Sequence, residues 1–427
     1  MQHPNIWKPF TILRGASDPQ KVVSGEGLWL TLEDGRKIMD CISSWWVNLH
    51  GHCHPHIIKA IHEQAQKLEH VIFANFSHDP AERLAERLSE KLPGQLNRVF
   101  FSDNGSTAVE VGLKVAWQYW KNRGQNRKKF IAFEGAYHGD TLGAMSAGAR
   151  SVFTQVFNDL MFEVEYFPYP DTWFGDNTAD AREDQIIDMI ENRLSTNPDN
   201  YAGIIIEPLV QGAGGMRICR EDFLQKLHWV NRQYNTLMIF DEVMTGFGRT
   251  GDWFAASRSH VVPDIICLAK GITGGFLPLA ATVCSDEIYD VFNTNEPLET
   301  FWHGHSYTAN PLGCAAALAS IDLLEENIDR FKGMERIHMQ ELTTFEAIDL
   351  IEKIRIKGTI AAFTIQSSEE SGYLNKVALL IKEKCVDYGL LIRPLGDVVY
   401  LMPPYCISKD ELREVYRKLA SLLRAIA

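Results

Sequence analysis

The segment Thr236 to Gly275, TLMIFDEVMTGFGRTGDWFAASRSHVVPDIICLAKGITGG, holds two apolar runs that each end on charge. Leu237-Met238-Ile239-Phe240 stops at Asp241-Glu242, and Asp264-Ile265-Ile266-Cys267-Leu268-Ala269 stops at Lys270. Short apolar runs between turn formers predict buried strands. Ligands of open α/β sheets sit off the carboxyl ends of such strands, so a carboxylate and an amine are delivered to one crevice. An aspartate that keeps a pyridine nitrogen protonated and a lysine that forms a Schiff base are the minimum set for pyridoxal phosphate chemistry.

Between the two runs, Gly246, Gly248 and Gly251 spell G-x-G-x-x-G, the dinucleotide fingerprint. Asp241 to Thr245 separate the strand from the first glycine, and no βαβ unit with a later acid follows, so the context rejects it. Outward from this segment, further strands are predicted near 99–101, 130–133 and 203–206, alternating with helices. The pattern is that of a mostly parallel, doubly wound α/β sheet.

Phe100-Phe101-Ser102-Asp103-Asn104-Gly105-Ser106-Thr107 ends one strand and opens a helix whose apolar face is marked by Val109, Leu113, Ala116, Trp117 and Trp120. Free amides at a helix start, with small Gly105 and Ser106 in front, suit a phosphate. A plain capped helix is the alternative, and Thr107 and Glu110 have capping-box spacing. The strand Phe130–Phe133 delivers Tyr137-His138-Gly139, where the tyrosine either stacks on a flat group or packs in a loop. Gly203-Ile204-Ile205-Ile206-Glu207-Pro208 is a strand ending in an acid. Ala144-Met145-Ser146-Ala147-Gly148 lacks the first glycine of a hydrolase elbow.

Near the start, Val22 to Leu32 and the turn Glu33-Asp34-Gly35-Arg36 give a hairpin signal. Trp45 and Trp46 are adjacent and point different ways in any regular element, so one packs in the core and the other is free to line a pocket. His50, His52, His54 and His56 alternate and on a strand would share a face, as metal ligands do. Pro55 opposes this, because it opens a helix whose periodicity runs over 55–69. From Leu312 to Glu325 another helix is expected. The tail then alternates: a helix near 330–347, strands near 353–366 and 389–401, and helices near 373–387 and 408–425. Arg393, at a strand end, could clamp a carboxylate or form a surface salt bridge.

A net charge of -13 argues against nucleic acid or an anionic membrane as partner. The start lacks a signal-peptide pattern, and no apolar run is long enough to span a bilayer. Eight scattered cysteines without a C-x-x-C pair read as reduced thiols in a cytoplasmic protein.

Taken together and in order, Gly105-Ser106, Tyr137-His138-Gly139, Glu207-Pro208, Asp241-Glu242, Lys270, His303 to Asn310 and Arg393 resemble the class III pyridoxal phosphate aminotransferases over nearly the whole chain. Trp7-Lys8-Pro9-Phe10-Thr11, Ser43-Ser44-Trp45-Trp46, His50-Gly51, Gln211 to Met216 and Tyr400 to Tyr405 resemble the branch of that family that serves biotin biosynthesis. The resemblance implies fold type I of the pyridoxal phosphate transferases. A cofactor-binding domain would span 43–326, and a smaller domain would form from 1–42 and 327–427.

The resemblance also implies roles. Lys270 would carry the cofactor and act as proton carrier, Asp241 would pair with its ring nitrogen, and Tyr137 would stack on the ring. Gly105 and Ser106 would hold the phosphate, joined by His305 and Ser306 of a second copy in a homodimer with shared sites. Glu207 would sit on the ring's hydroxyl side. Phe10, Trp45, Trp46, Gly304, Arg393 and Tyr400 would shape the substrate pocket, with Arg393 on a carboxylate. No metal is implied. The reaction would move the amino group of S-adenosylmethionine to 8-amino-7-oxononanoate, giving 7,8-diaminononanoate, by ping-pong kinetics through pyridoxamine phosphate. Phe10 and the loop His303-Gly304-His305-Ser306-Tyr307-Thr308 resemble relatives that use lysine as donor, while the paired tryptophans favour S-adenosylmethionine. An ω-amino acid or polyamine transaminase is the alternative within the same family.

Overall fold

The structure, a computed structural model, describes residues 5–14, 18–343, 345, 348–366 and 376–426. The chain opens with β1 (Val22–Glu26), β2 (Trp29–Leu32) and β3 (Lys37–Asp40). Its central part supplies β4 (Leu96–Ser102), β5 (Lys129–Phe133), β6 (Val164–Phe167), β7 (Tyr201–Ile206), β8 (Val210–Gln211), β9 (Arg217–Ile218), β10 (Leu237–Asp241), β11 (Ile265–Leu268) and β12 (Ala280–Ser285). The last part adds β13 (Ile351–Lys357), β14 (Ile360–Ile365), β15 (Leu390–Leu391) and β16 (Val398–Leu401).

A seven-stranded sheet in the order β4-β12-β11-β10-β7-β5-β6 forms the centre. Strands β11, β10, β7, β5 and β6 run parallel, and β12 is antiparallel to both of its neighbours. Every residue of β7 and β10 is buried, because helices cover both faces. Alternation along the strands sorts the side chains. Ile205, Ile239 and Ile265 pack with Val109, Leu113 and Trp120 of the helix Gly105–Asn122. Ile204, Met238 and Ile266 share the opposite core with Ile186, Ile190 and Leu227, from the helices Ala179–Thr196 and Glu221–Gln233.

The five expected strands are β4, β5, β7, β10 and β11. Strands β6 and β12 lie outside the expected set. Both are short, β6 mixes polar with apolar residues, and β12 (AATVCS) is built of small side chains that carry little apolar signal. The amphipathic helix Asp79–Lys91 was also passed over, although Asp79 and Glu82 in its first turn and Lys91 in its last suit the helix dipole.

The expected first hairpin is two: β1 pairs with β2, and β2 with β3 across the Glu33–Arg36 turn, where Gly35 takes φ 85°. Strand β15 then pairs with β3, so residues from both ends of the chain share a four-stranded sheet. Strands β13, β14 and β16 form another sheet, and the expected segment 389–401 is two strands rather than one. The helix expected near 330–347 spans Ile328–Leu342, with 344, 346 and 347 outside the described residues. That expected near 373–387 includes Lys376–Lys384, and 373–375 lie outside them. The closing helix is Lys409–Ile426.

The four alternating histidines do not share a face. Cys53 adopts φ 54°, and Pro55 starts the helix Pro55–Lys67, so the alternation breaks. His50 Nε2 lies 3.0 Å from Ser320 Oγ, His52 Nε2 lies 3.0 Å from Asp40 Oδ2, and His54 caps the helix by accepting the His56 N–H at 3.4 Å.

Candidate active site

A cavity of about 1240 Å³ opens at the carboxyl ends of the central strands, and both Asp241 and Lys270 line it. The parallel register sets Asp241 opposite Cys267, so Lys270 follows only three residues beyond that rung. Asp241 is 4% exposed. Its Oδ1 accepts the Val243 N–H at 3.0 Å, and its Oδ2 accepts from His138 Nδ1 at 2.7 Å. Burial alone would push the His138 imidazolium down, but the hydrogen bond to Asp241 and the charges of Asp241 and Glu207 outweigh it and raise the pKa. His138 Nε2 is buried without a hydrogen-bond partner among the described residues. The sequence reading gave His138 no role. Its only signal was its place beside Tyr137, since nothing in the chain announces a bond to a residue 103 positions away.

Glu242 faces the other way. Its carboxylate accepts the N–H groups of Ala255 and Ala256 at 2.7 and 2.8 Å and the Thr245 hydroxyl at 3.2 Å, which folds the glycine-rich connection back on itself. Burial raises it to about 7.

Lys270 leaves β11 with φ 42°, a left-handed conformation that non-glycine residues adopt only where the surroundings impose it. Its amine sits 5.0 Å over the Trp46 ring and makes no hydrogen bond or ion pair with a described residue. Burial lowers its pKa against the opposing pull of Asp241 and Glu207, which favours the neutral amine. Glu207, just past β7, accepts the Tyr137 N–H at 3.1 Å and the Gly212 N–H at 3.0 Å, and burial lifts it to about 7. Glu207 therefore fixes the backbone that presents Tyr137, which lines the cavity and is 37% exposed.

Gly105 and Ser106 also line the cavity, at the start of an 18-residue helix. The capping box there is formed by Asn104 and Thr107, not by Thr107 and Glu110 as their spacing suggested. Glu110 instead accepts the N–H groups of Gly143 and Ala144 at 2.7 and 3.1 Å, capping the neighbouring helix Leu142–Ala147. Ser106 Oγ accepts the Asp140 N–H at 3.1 Å. The first amides of a helix lack intrahelical partners, and its dipole favours an anion there. A Cβ on Gly105 would come within 2.5 Å of Val243, and one on Gly139, at φ 129°, would collide with Ser106.

On the open side, Trp46 is 4% and Trp45 43% exposed, and both line the cavity. Trp46 Nε1 donates to the Tyr400 hydroxyl at 2.9 Å. The Arg393 guanidinium lies 4.6 Å over the Trp45 ring and has no hydrogen bond or ion pair to a described residue. Phe10 reaches over from the N-terminal segment, its ring 5.8 Å from Trp45 and 6.3 Å from Phe153. Three expected residues are not brought to this cavity: Gly304, His305 and Ser306 do not line it. His305 Nδ1 lies 3.3 Å from Asp103, the Ser306 carbonyl accepts from His70 at 2.5 Å, and Gly304 faces open space.

The set fits an elongated group with a phosphate at one end and a basic ring nitrogen at the other. It offers a helix-start cradle too tight for side chains, an exposed aromatic face, a buried carboxylate and an uncommitted amine. Pyridoxal 5′-phosphate has this form.

The family model for aminotransferase class III matches residues 14–423. The chain is 54% identical over 424 residues to an adenosylmethionine-8-amino-7-oxononanoate aminotransferase from Synechococcus elongatus, covering 99% of each chain. The crystal structure of an adenosylmethionine-8-amino-7-oxononanoate aminotransferase from Methanocaldococcus jannaschii aligns with a TM-score of 0.91 at 32% identity, covering 99% of this chain and 97% of that one. An amine transaminase from an uncultivated Pseudomonas species, in its PLP-bound form, aligns with a TM-score of 0.90 at 29% identity over 99% of both chains.

Proposed function

The chain belongs to the class III aminotransferases, and from that premise we propose that it transfers the amino group of S-adenosylmethionine to 8-amino-7-oxononanoate in biotin biosynthesis. The observation that carries the reading is the aromatic wall beside Lys270: adjacent tryptophans, one under the amine and one against an arginine that pairs with no acid among the described residues, in a cavity of about 1240 Å³. That space is generous for a small-molecule site. Flat aromatic walls accept both an adenosyl group and an aliphatic chain, and the free guanidinium suits the acceptor's carboxylate.

Pyridoxal phosphate, the cofactor of this class, supplies when bound an electron sink for the bond broken at the donor carbon. The chain's own groups do the rest. Gly105 and Ser106 would hold the phosphate at the helix start. Tyr137, whose backbone is fixed through Glu207, would cover the ring. Asp241, kept in place by His138 and Val243, would pair with the ring nitrogen, and Glu207 would sit on the ring's hydroxyl side. Lys270 would hold the cofactor at rest and, as a neutral amine, would accept at Nζ the proton lost from the donor carbon and give it up again to complete the transfer. Burial, by lowering the lysine's pKa, equips it for that task. Arg393 orients the carboxylate, and Trp45, Trp46, Phe10 and Tyr400 exclude water around the reacting carbon.

The same proposal includes a homodimer. Support comes from the loop Thr300–Asn310, which does not line its own cavity and exposes Trp302 and Tyr307 by 76% and 62%. A second copy would bring Gly304, His305 and Ser306 to the phosphate end of the partner's site. Residues 43–326 would form the cofactor-binding domain, with 1–42 and 327–427 as the smaller one, supported by the β3–β15 pairing. Eight free cysteines support a cytoplasmic setting.

The test supplies purified protein and 8-amino-7-oxononanoate with S-adenosylmethionine, lysine or simple amines, and measures 7,8-diaminononanoate. Product with S-adenosylmethionine is expected. Product with lysine alone replaces the donor, and activity only with simple amines and other acceptors overturns the biotin-pathway step.

A further inference from the structure

Three non-glycine residues within four positions, Ser43, Ser44 and Trp46, have positive φ: 51°, 60° and 68°. Ser44 combines its φ with ψ -79°, and the turn has no helical geometry at Ser44 or Trp45. Such conformations persist only where neighbours over-determine them.

The neighbour that does so is Asp40, the last residue of β3, which is fully buried and does not line the cavity. Its Oδ1 accepts the N–H groups of Ile42 and Ser44 at 3.2 and 2.8 Å. Its Oδ2 accepts the Ser44 hydroxyl at 2.9 Å and faces His52 Nε2 at 3.0 Å. The other ring nitrogen of His52 lies 3.2 Å from the Asn48 amide, whose oxygen takes the Gly51 N–H at 2.8 Å. A carboxylate is acceptor-only and short, so it can take four donors at once; asparagine, with one oxygen and an NH₂, cannot. The turn is pinned further by Ser43 Oγ on the Met402 carbonyl and by Arg249 on the Trp46 carbonyl. What the strain achieves is to aim two adjacent indoles differently: Trp46 under the Lys270 amine and onto Tyr400, Trp45 against Arg393.

We propose that Asp40, braced by His52, is a positioning residue for substrate recognition: it holds the Ser43–Trp46 turn in its strained form and thereby sets the angle between Trp45 and Trp46. The proposal rests on the aminotransferase reading for its kinetic consequence, but its structural consequence is read without substrate.

Asp40→Asn is expected to raise KM for 8-amino-7-oxononanoate about tenfold, the equivalent of about 1.4 kcal/mol. Turnover and the cofactor dissociation constant, from absorption titration, should stay within about twofold, as expected for lost ground-state positioning. Glycine adopts positive φ without strain, so adding Ser44→Gly should return KM to near the wild-type value. Protein labelled with 5-fluorotryptophan gives a substrate-free reading. Among the ten tryptophan signals, those assigned to Trp45 and Trp46 by single Phe substitutions should shift in Asp40→Asn and move back in the double variant. An unchanged KM with unmoved signals overturns the proposal, as does a raised KM that Ser44→Gly does not rescue. Should Asp40→Asn not fold, His52→Gln, whose side chain is partly exposed, is read by the same measurements. Wild-type protein that fails to turn over 8-amino-7-oxononanoate would overturn the functional reading instead, leaving the fluorine signals to decide this one.

Discussion

Asp241 and Glu242 are neighbours whose carboxylates serve different ends, because successive side chains leave a strand on opposite faces. Asp241 faces the cavity with His138 behind it, while Glu242 ties down the connection to Ala255 and Ala256. That a carboxylate and an amine end adjacent strands was legible, since strand ends are marked by where apolar runs stop. The His138 bond was not, because it depends on how two distant loops meet. Lys270 is the residue on which most depends. Lys270→Ala should lower transamination by at least about 10³-fold, within the usual range for a lost proton carrier. After borohydride treatment of the loaded proteins, mass spectrometry should find the cofactor on the Lys270 peptide of the wild type and on no peptide of the variant. Retention on another lysine sinks the assignment. Glu207 gives a pH prediction. Its carboxyl is raised from an ordinary 4.5 to about 7 by burial. A carboxyl raised in the folded state contributes stability that is complete below its unfolded pKa and is lost as pH climbs through the folded one. Glu207→Gln removes that dependence, so the variant should gain on the wild type between pH 5 and pH 8 by on the order of 3 kcal/mol. Melting curves of cofactor-free protein across that range test it, and a constant difference refutes it.

At the scale of elements, the helix Gly105–Asn122 and the loop that follows β5 act as one cradle. Ser106 takes an amide of that loop and Glu110 takes two more from the helix Leu142–Ala147, so the phosphate end and the Tyr137 face are set by the same helix. Gly139 is where the two surfaces touch most closely, and it combines φ 129° with no room for a Cβ beside Ser106. Gly139→Ala should therefore separate loop from helix and weaken cofactor binding by about tenfold or more, since strain of 1–3 kcal/mol is typical of such positions. Equilibrium titration of the cofactor's absorbance measures it, and an unchanged affinity would mean that the loop yields without moving the cradle. The sequence disclosed this helix through its apolar stripe and the glycine-serine pair ahead of it. It misassigned the cap, because spacing alone cannot say whether Glu110 turns back to its own helix or out to another. It also passed over β12, whose alanines, threonine and serine give no periodic apolar signal. That strand still matters for the site, because its antiparallel pairing with β11 and β4 joins the lysine strand to the strand that leads into the cradle.

Across the whole molecule, the cavity joins residues from the two ends of the chain with the centre of the sheet: Phe10, Trp45 and Trp46, Asp241 and Lys270, Arg393 and Tyr400. Family resemblance could assign these to one pocket, but periodicity could not, because contacts such as Trp46 to Tyr400 span 354 positions. The arrangement places the cofactor end at the strand termini of the central sheet and most of the substrate end on the segments that follow β3 and β15 and on β16. Substrate preference can then change without disturbing the chemistry, and Arg393 is where this separation is most directly tested. Its guanidinium meets the Trp45 face and no acid among the described residues, so it offers its donors to a ligand. Arg393→Ala should raise KM for a carboxylate-bearing acceptor about a hundredfold, as expected when one partner of a hydrogen-bonded charge pair in a desolvated pocket is removed. The half-reaction with an amine that carries no carboxylate should change by less than about threefold, because only uniform binding to the carboxylate is lost. Arg393→Lys should recover little, since an ammonium keeps the charge but neither the planar fork nor the stacking on Trp45. Equal losses for the two kinds of substrate would instead make Arg393 a support for the Trp45 wall, and the carboxylate would have to be held elsewhere in the cavity.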